Sequence, residues 1–158
     1  FLRKGVDVVL ELAKHFPEYT FKIIGMNESF KSSLTIPENV ICYSFLESEQ
    51  YKKLLSETEF YLQLSIYEGF PNALCEAMLS GCIPIGSLVA AIPNIISDTG
   101  FVINKKDLTE IFSTIKKITS LDEFRKNELA NNARQRIIDN YDLSKREQSF
   151  LKLISGIL

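Results

Sequence analysis

The chain has 158 residues, 46% hydrophobic and 24% charged, the proportions of an ordinary soluble globular domain long enough for a proper core. Its formal net charge of -2 argues against nucleic acid as the main partner. No run approaches the length of a membrane span, and no signal-peptide pattern opens these residues.

Cys42, Cys75 and Cys82 have neither metal-ligand nor disulfide spacing, so buried, reduced thiols are expected, as suits a cytoplasmic protein. His15 is the only histidine, which argues against a histidine-based metal cluster or catalytic triad within the chain. The sequence opens at Phe1 without a methionine and enters a helix almost at once; it reads as a piece of a longer protein.

In chain order, Val8, Val9, Leu12, Ala13 and Phe16 fall on one face of a helix over Val6–Phe16, which Pro17 ends. Tyr19–Ile24 reads as a strand stopped by Gly25, and Met26–Pro37 as a loop holding at most a helical turn. Val40–Tyr43 is the next strand. Ser48 is expected to cap a helix to about Thr58, with Tyr51, Leu54 and Leu55 facing inward.

Phe60–Leu64 is an apolar strand, followed by the turn-formers Gly69, Pro71 and Asn72. Asn72 is expected to N-cap a helix over Ala73–Ser80, and Gly81 to supply its left-handed stop. Ile83–Gly86 is a strand, Ile92–Ile96 a short helix, and Gly100–Ile103 a last strand. Helices capped by Asp107, over Leu121–Asn140, and from Ser144 complete the chain. Strands alternating with helices predict βαβ crossovers and one doubly wound, parallel α/β sheet, without repeats or linkers.

The stretch after Phe60 carries chemistry. A strand, a turn and a helix in immediate succession put free backbone N–H groups and the positive end of a helix dipole at a strand's carboxyl end. That arrangement suits an anion, above all a phosphate. Glu68 sits at the strand exit and Glu76 one turn into the helix. Alone, such glutamates offset the dipole, and a lysine beside a turn glycine is a solvated surface residue.

In this setting Glu68-Gly69-Phe70-Pro71-Asn72-Ala73-Leu74-Cys75-Glu76-Ala77-Met78, then Gly81-Cys82-Ile83-Pro84-Ile85, resembles a known signature. It is the glutamate-x7-glutamate motif of the retaining, nucleotide-sugar-dependent glycosyltransferases of group 1, with the GT-B fold. The resemblance runs from Lys4-Gly5 to about Tyr141. It implies a Rossmann-like domain forming the C-terminal, donor-binding half of a two-domain enzyme. The N-terminal half that binds the acceptor would precede Phe1, and the isolated piece would bind donor without turnover.

Residue by residue, the resemblance implies that Lys4 contacts the donor diphosphate and stabilises the leaving group as its charge grows. Glu68 would lie near the transferred sugar, and Glu76 would hold the ribose hydroxyls. Gly69, Phe70, Pro71, Asn72, Ala73 and Leu74 form the loop whose amides hold diphosphate and sugar; proline at position 71 replaces a glycine found in many relatives. The family usually has an arginine several residues before this lysine, a position preceding Phe1. Arg3 has the wrong spacing to take its place. Turns at Gly25-Met26-Asn27 and Ser44-Phe45-Leu46 would flank the nucleobase.

The implied reaction needs no bound cofactor and no metal, in keeping with the absence of an Asp-x-Asp pair; the donor would be a UDP-, GDP- or similar nucleotide sugar. Polysaccharide or glycolipid would be the product, and any membrane association would reside in the preceding part. A sugar-nucleotide 2-epimerase of the same architecture and a non-catalytic scaffold acting through the charged Leu121–Asn140 helix are the alternatives. A dinucleotide-binding dehydrogenase is disfavoured because no Gly-x-Gly-x-x-Gly follows a strand.

Overall fold

A computed structural model describes residues 2–104 and 107–141. After a 3-10 turn over Leu2–Lys4 come α1 (Val6–His15), β1 (Phe21–Ile24), α2 (Glu28–Lys31), β2 (Val40–Tyr43), α3 (Ser48–Ser56) and β3 (Phe60–Gln63). Then follow α4 (Asn72–Leu79), β4 (Ile83–Ser87), α5 (Ile92–Ile96), β5 (Phe101–Ile103), α6 (Leu108–Thr119) and α7 (Glu123–Asn140). The expected helix from Ser144 lies outside the described residues.

All the strand pairs are parallel: β1 with β2, β3 with β4, and β4 with β5. Between β1 and β3 no ladder forms, so the strands fall into groups of two and three. Helices cover both faces, as doubly wound topology requires. On one face α1 and α6 bury Leu12, Phe16, Ile111 and Ile115 against Leu64 and Ile85. On the other, Leu74 and Met78 of α4 pack with Ile92, Ile95 and Ile96 of α5 and with Ala133 and Ile137 of α7.

The charged α7 is docked, not free. Its stripe of Leu129, Ala133 and Ile137 is buried. Arg136 donates from Nε to the Ile95 carbonyl at 2.7 Å and from Nη2 to that of Asn94 at 2.6 Å. Arg134 donates to the Leu79 carbonyl. These guanidinium groups satisfy carbonyls at the ends of α5 and α4 that have no partner within their own helices.

Helix ends show where side-chain chemistry decided the boundary. Asp107 accepts from the N–H groups of Thr109 and Glu110, as its position predicts. Ser48 is not the cap of α3: Glu47 occupies that position, and its N–H donates to Gln50 Oε1 at 3.2 Å. Asn72 is not a cap either but the first residue of α4, whose cap position belongs to Pro71 and lacks a side-chain bond. Gly81 does stop α4, at φ 88°. Its N–H reaches Met78 O at 3.0 Å and that of Cys82 reaches Ala77 O at 3.0 Å, a Schellman closure.

Gly5 fixes the chain's first turn. It caps α1 in the left-handed conformation, φ 78°, and a Cβ there would lie 2.1 Å from the Leu64 carbonyl oxygen. Gly5→Ala therefore combines the roughly 1–2 kcal/mol of a left-handed alanine with a backbone clash. A fall of several degrees in melting temperature is expected in thermal denaturation; an unchanged value would show that the turn can rearrange freely.

Candidate functional site

The site forms where β3 ends. Gly5 lies against Leu64, and Arg3 accepts the Ile66 N–H at 2.8 Å through its carbonyl. The opening turn is thereby held across the carboxyl end of β3, and Lys4 Nζ reaches Glu68 Oε2 at 2.5 Å. Two residues that the sequence assigned to one site, 64 positions apart, meet in an ion pair. The Glu68 side chain is 12% exposed and that of Lys4 46%, so the carboxylate is recessed while the ammonium faces outward.

Glu68 is also held from below. Ser65 Oγ donates to its Oε2 at 3.2 Å and Gln63 Nε2 at 3.4 Å. Gln63 Nε2 donates further to Ser65 Oγ at 2.8 Å, Tyr61 OH to Gln63 Oε1 at 3.2 Å, and buried Ser87 Oγ to Ser65 O at 2.6 Å. Burial pushes the Glu68 carboxyl upward, but the hydrogen bond and charge of Lys4, with bonds from Ser65 and the Gly69 N–H, outweigh it and hold the group below its ordinary range.

Sequence reading missed Ser65, Gln63 and Tyr61 as members of this network. The available signal was a glutamine inside an otherwise apolar strand, since a buried polar side chain needs partners.

Beside this pair stands the N-terminus of α4. No side chain caps it and no acidic residue occupies its first turn. The first N–H groups of a helix have no partner within it, so they and the dipole are left to an external acceptor. Leu74 is already committed, its N–H on Pro71 O at 3.0 Å and its side chain in the core. Gly69 faces open space, with no atom within 4 Å of where a Cβ would be. Phe70 is half-exposed, its ring 5.7 Å from that of Tyr141 rather than in the core.

Glu76 lies exposed on α4 and is hydrogen-bonded to the Tyr51 hydroxyl of α3. Burial, then the charge and hydrogen bond of Glu76, push the Tyr51 phenol up to about 12. The Tyr61 phenol, raised first by burial, also senses Tyr51, Glu76 and Glu68, so it lies between the two glutamates. The role of Tyr51 was not legible: its 25-residue distance from Glu76 in the chain gives no hint of their meeting.

At the carboxyl ends of β1 and β2 the Gly25 and Met26 N–H groups share the Tyr43 carbonyl, at 2.9 and 3.1 Å. This brings the two turns assigned to a nucleobase side by side. Met26 itself points inward, packed with Leu10, Ala13, Ile23 and Val40, so only its backbone faces the turn. Phe45 is 73% exposed and Leu46 half-buried.

Of the cysteines, only Cys82 is fully buried, donating to Leu55 O at 3.3 Å; Cys42 and Cys75 are half-buried. Burial pushes the Cys75 and Cys82 thiols up to about 11, so they are poor nucleophiles. No helix among the described residues is long and apolar enough to cross a membrane.

The chain was then compared with known proteins. The model of the family described as "Glycosyl transferases group 1" matches residues 1–136. A Klebsiella pneumoniae protein, "Uncharacterized 41.2 kDa protein in cps region", is 31% identical over 113 residues, covering 69% of this chain and 32% of the relative. This chain spans about a third or less of the length of the curated relatives it matches.

Among solved structures, the C-terminal domain of a glycosyl transferase group 1 family protein (LpcC) from Francisella tularensis superposes with a TM-score of 0.76 at 24% identity. The match covers 90% of this chain and 82% of that one. Anabaena Alr3699/HepE, solved in complex with UDP-glucose, superposes with a TM-score of 0.79 at 17% identity, covering 99% of this chain and 46% of that one. At these identities the likeness shows the fold, the Rossmann-like half of GT-B.

The ion pair has a pH signature. A carboxyl whose folded pKa is depressed contributes stability above its unfolded value, about 4.3, and loses it as pH falls through the lower folded value. The stability gap between the native chain and Glu68→Gln should be constant above about pH 5.5 and narrow steadily below about pH 4.5. Urea denaturation at a series of pH values measures it; a gap that stays constant into acid would mean the carboxyl is not depressed.

Proposed function

The chain belongs to the glycosyl transferases group 1 family, and we propose that it is the C-terminal, donor-binding half of a retaining glycosyltransferase that works without a metal. The observation that carries this reading is the pairing of Lys4 with Glu68 beside the uncapped start of α4. A cation, a carboxylate and unpaired amides there surround a space suited to a sugar diphosphate.

In this reading the diphosphate lies on the first amides of α4, at Asn72 and Ala73, with its approach left open by Gly69. Lys4 moves from Glu68 onto the phosphate. When the bond from the sugar C1 to the phosphate oxygen breaks, the electron pair passes to that oxygen, and the new charge meets an ammonium and a helix N-terminus already in place. Glu68 then faces the sugar carbon, where its depressed pKa keeps it ionised to accept hydroxyl hydrogen bonds or offset developing positive charge. These fixed charges do the work a metal ion does elsewhere.

Glu76 takes the ribose hydroxyls, an arrangement natural to an ionised carboxylate, with Tyr51 fixing its rotamer. The base stacks on the exposed Phe45 ring beside Leu46 and receives hydrogen bonds only from the backbone of the Gly25–Met26 turn. The UDP-glucose complex of Alr3699/HepE supports a uridine nucleotide as the first donor to try. The acceptor, a growing polysaccharide or glycolipid, would bind the other half of the protein; the 158-residue piece alone would bind donor without turnover.

Isothermal titration of UDP and of GDP into the full-length protein tests the reading. One nucleotide should bind, and Glu76→Ala should weaken it roughly 10- to 100-fold, the loss of charged hydrogen bonds worth about 1.5–3 kcal/mol. If neither binds, or the variant binds equally well, the assignment of Glu76 fails. Product analysis with sugar nucleotide alone separates transfer from 2-epimerisation.

A further inference from the structure

The gap between β1 and β3 is a built feature. β1 pairs with β2 on one edge and β3 with β4 on one edge, leaving the other edge of each without a ladder. Every residue of both strands lines a single cavity of about 550 Å³. Its roof is apolar, from Val9 and Leu12 of α1 and Ile115 of α6; Leu54 of α3 and Ala73 of α4 also line it. A parallel strand buried in mid-sheet does not leave its backbone N–H and C=O groups unpaired. Neighbouring strands lie about 4.8 Å apart, so one strand between β1 and β3 would separate them by about 9.6 Å.

We infer that this slot holds a parallel β-strand formed by residues that precede Phe1 in the full-length protein, completing one sheet in the order β2, β1, inserted strand, β3, β4, β5. The position of the chain's first turn selects that occupant. Arg3 and Gly5 are fixed on Ile66 and Leu64, just beyond the carboxyl end of β3, and Lys4 lines the slot itself.

A strand running parallel to β1 and β3 leaves the slot at this same end and reaches Leu2 through a short connection. With α1 returning along the sheet to β1, the three form a βαβ unit of the usual right-handed kind. Both walls are four residues long, so the occupant is a strand of about that length, roughly 13 Å. Being covered on both faces, it is an unbroken apolar run and not an alternating one. This inference stands apart from the functional reading and survives if the site binds no nucleotide.

Two measurements decide it. The codons directly upstream of Phe1 should encode an apolar run of four to six residues ending within about ten residues of Leu2; a stop codon or an uninterrupted polar stretch there overturns the inference. Hydrogen exchange by mass spectrometry should then show Phe21–Ile24 and Phe60–Gln63 protected in the full-length protein. In the 158-residue chain they should exchange faster, on the order of 100-fold or more, and if that chain is wholly unprotected the crystal structure of the full-length protein decides. Equal protection in both, β1 paired directly with β3, or a slot filled by residues after Tyr141 or by a second copy would each overturn it.

Discussion

The site depends on the lock between the opening turn and the end of β3. Gly5 sits where a side chain would strike the Leu64 carbonyl, and the Arg3 carbonyl takes the Ile66 N–H at 2.8 Å. With the backbone held at both points, Lys4 has little choice but to reach Glu68. A lysine four methylenes long loses much rotamer entropy when fixed, and a half-exposed ion pair returns little. The backbone lock, not the charge attraction, therefore supplies most of the positioning.

That division matters for chemistry. A weak, partly exposed pair leaves Lys4 able to exchange its carboxylate for a phosphate of higher charge, while Glu68 keeps Ser65, Gln63 and the Gly69 N–H as partners. The network beneath also links the two glutamates: Gln63 leads to Tyr61, which lies between Glu68 and Glu76, and Glu76 is held by Tyr51. Strand β3 thus contributes its polar side chains to the site and its apolar ones to the core. The uncapped α4 completes the picture, since a cap would occupy the amides an anion needs.

Much of the architecture was legible. Apolar periodicity located the strands and nearly every helix, and Gly81 and Asp107 marked ends they do mark. Caps were read less well. Ser48 and Asn72 are good capping residues, but Glu47 with Gln50 closes α3, and Pro71 brings Asn72 inside α4. Propensity ranks candidates, while the path of the preceding chain chooses among them. Met26 shows the same limit: its turn was placed correctly, but its side chain belongs to the core under α1.

By itself, the sequence settled the alternation of strand and helix, the turn that exposes amides at the start of α4, and the residue types gathered there, because these rest on chemistry local to a few positions. Only the tertiary structure decided that Lys4 meets Glu68 across 64 residues, that Tyr51 holds Glu76, and that β1 and β3 stand apart with an apolar slot between them. Such meetings depend on how helices pack over the sheet, and no spacing along the chain encodes the distance between two strands.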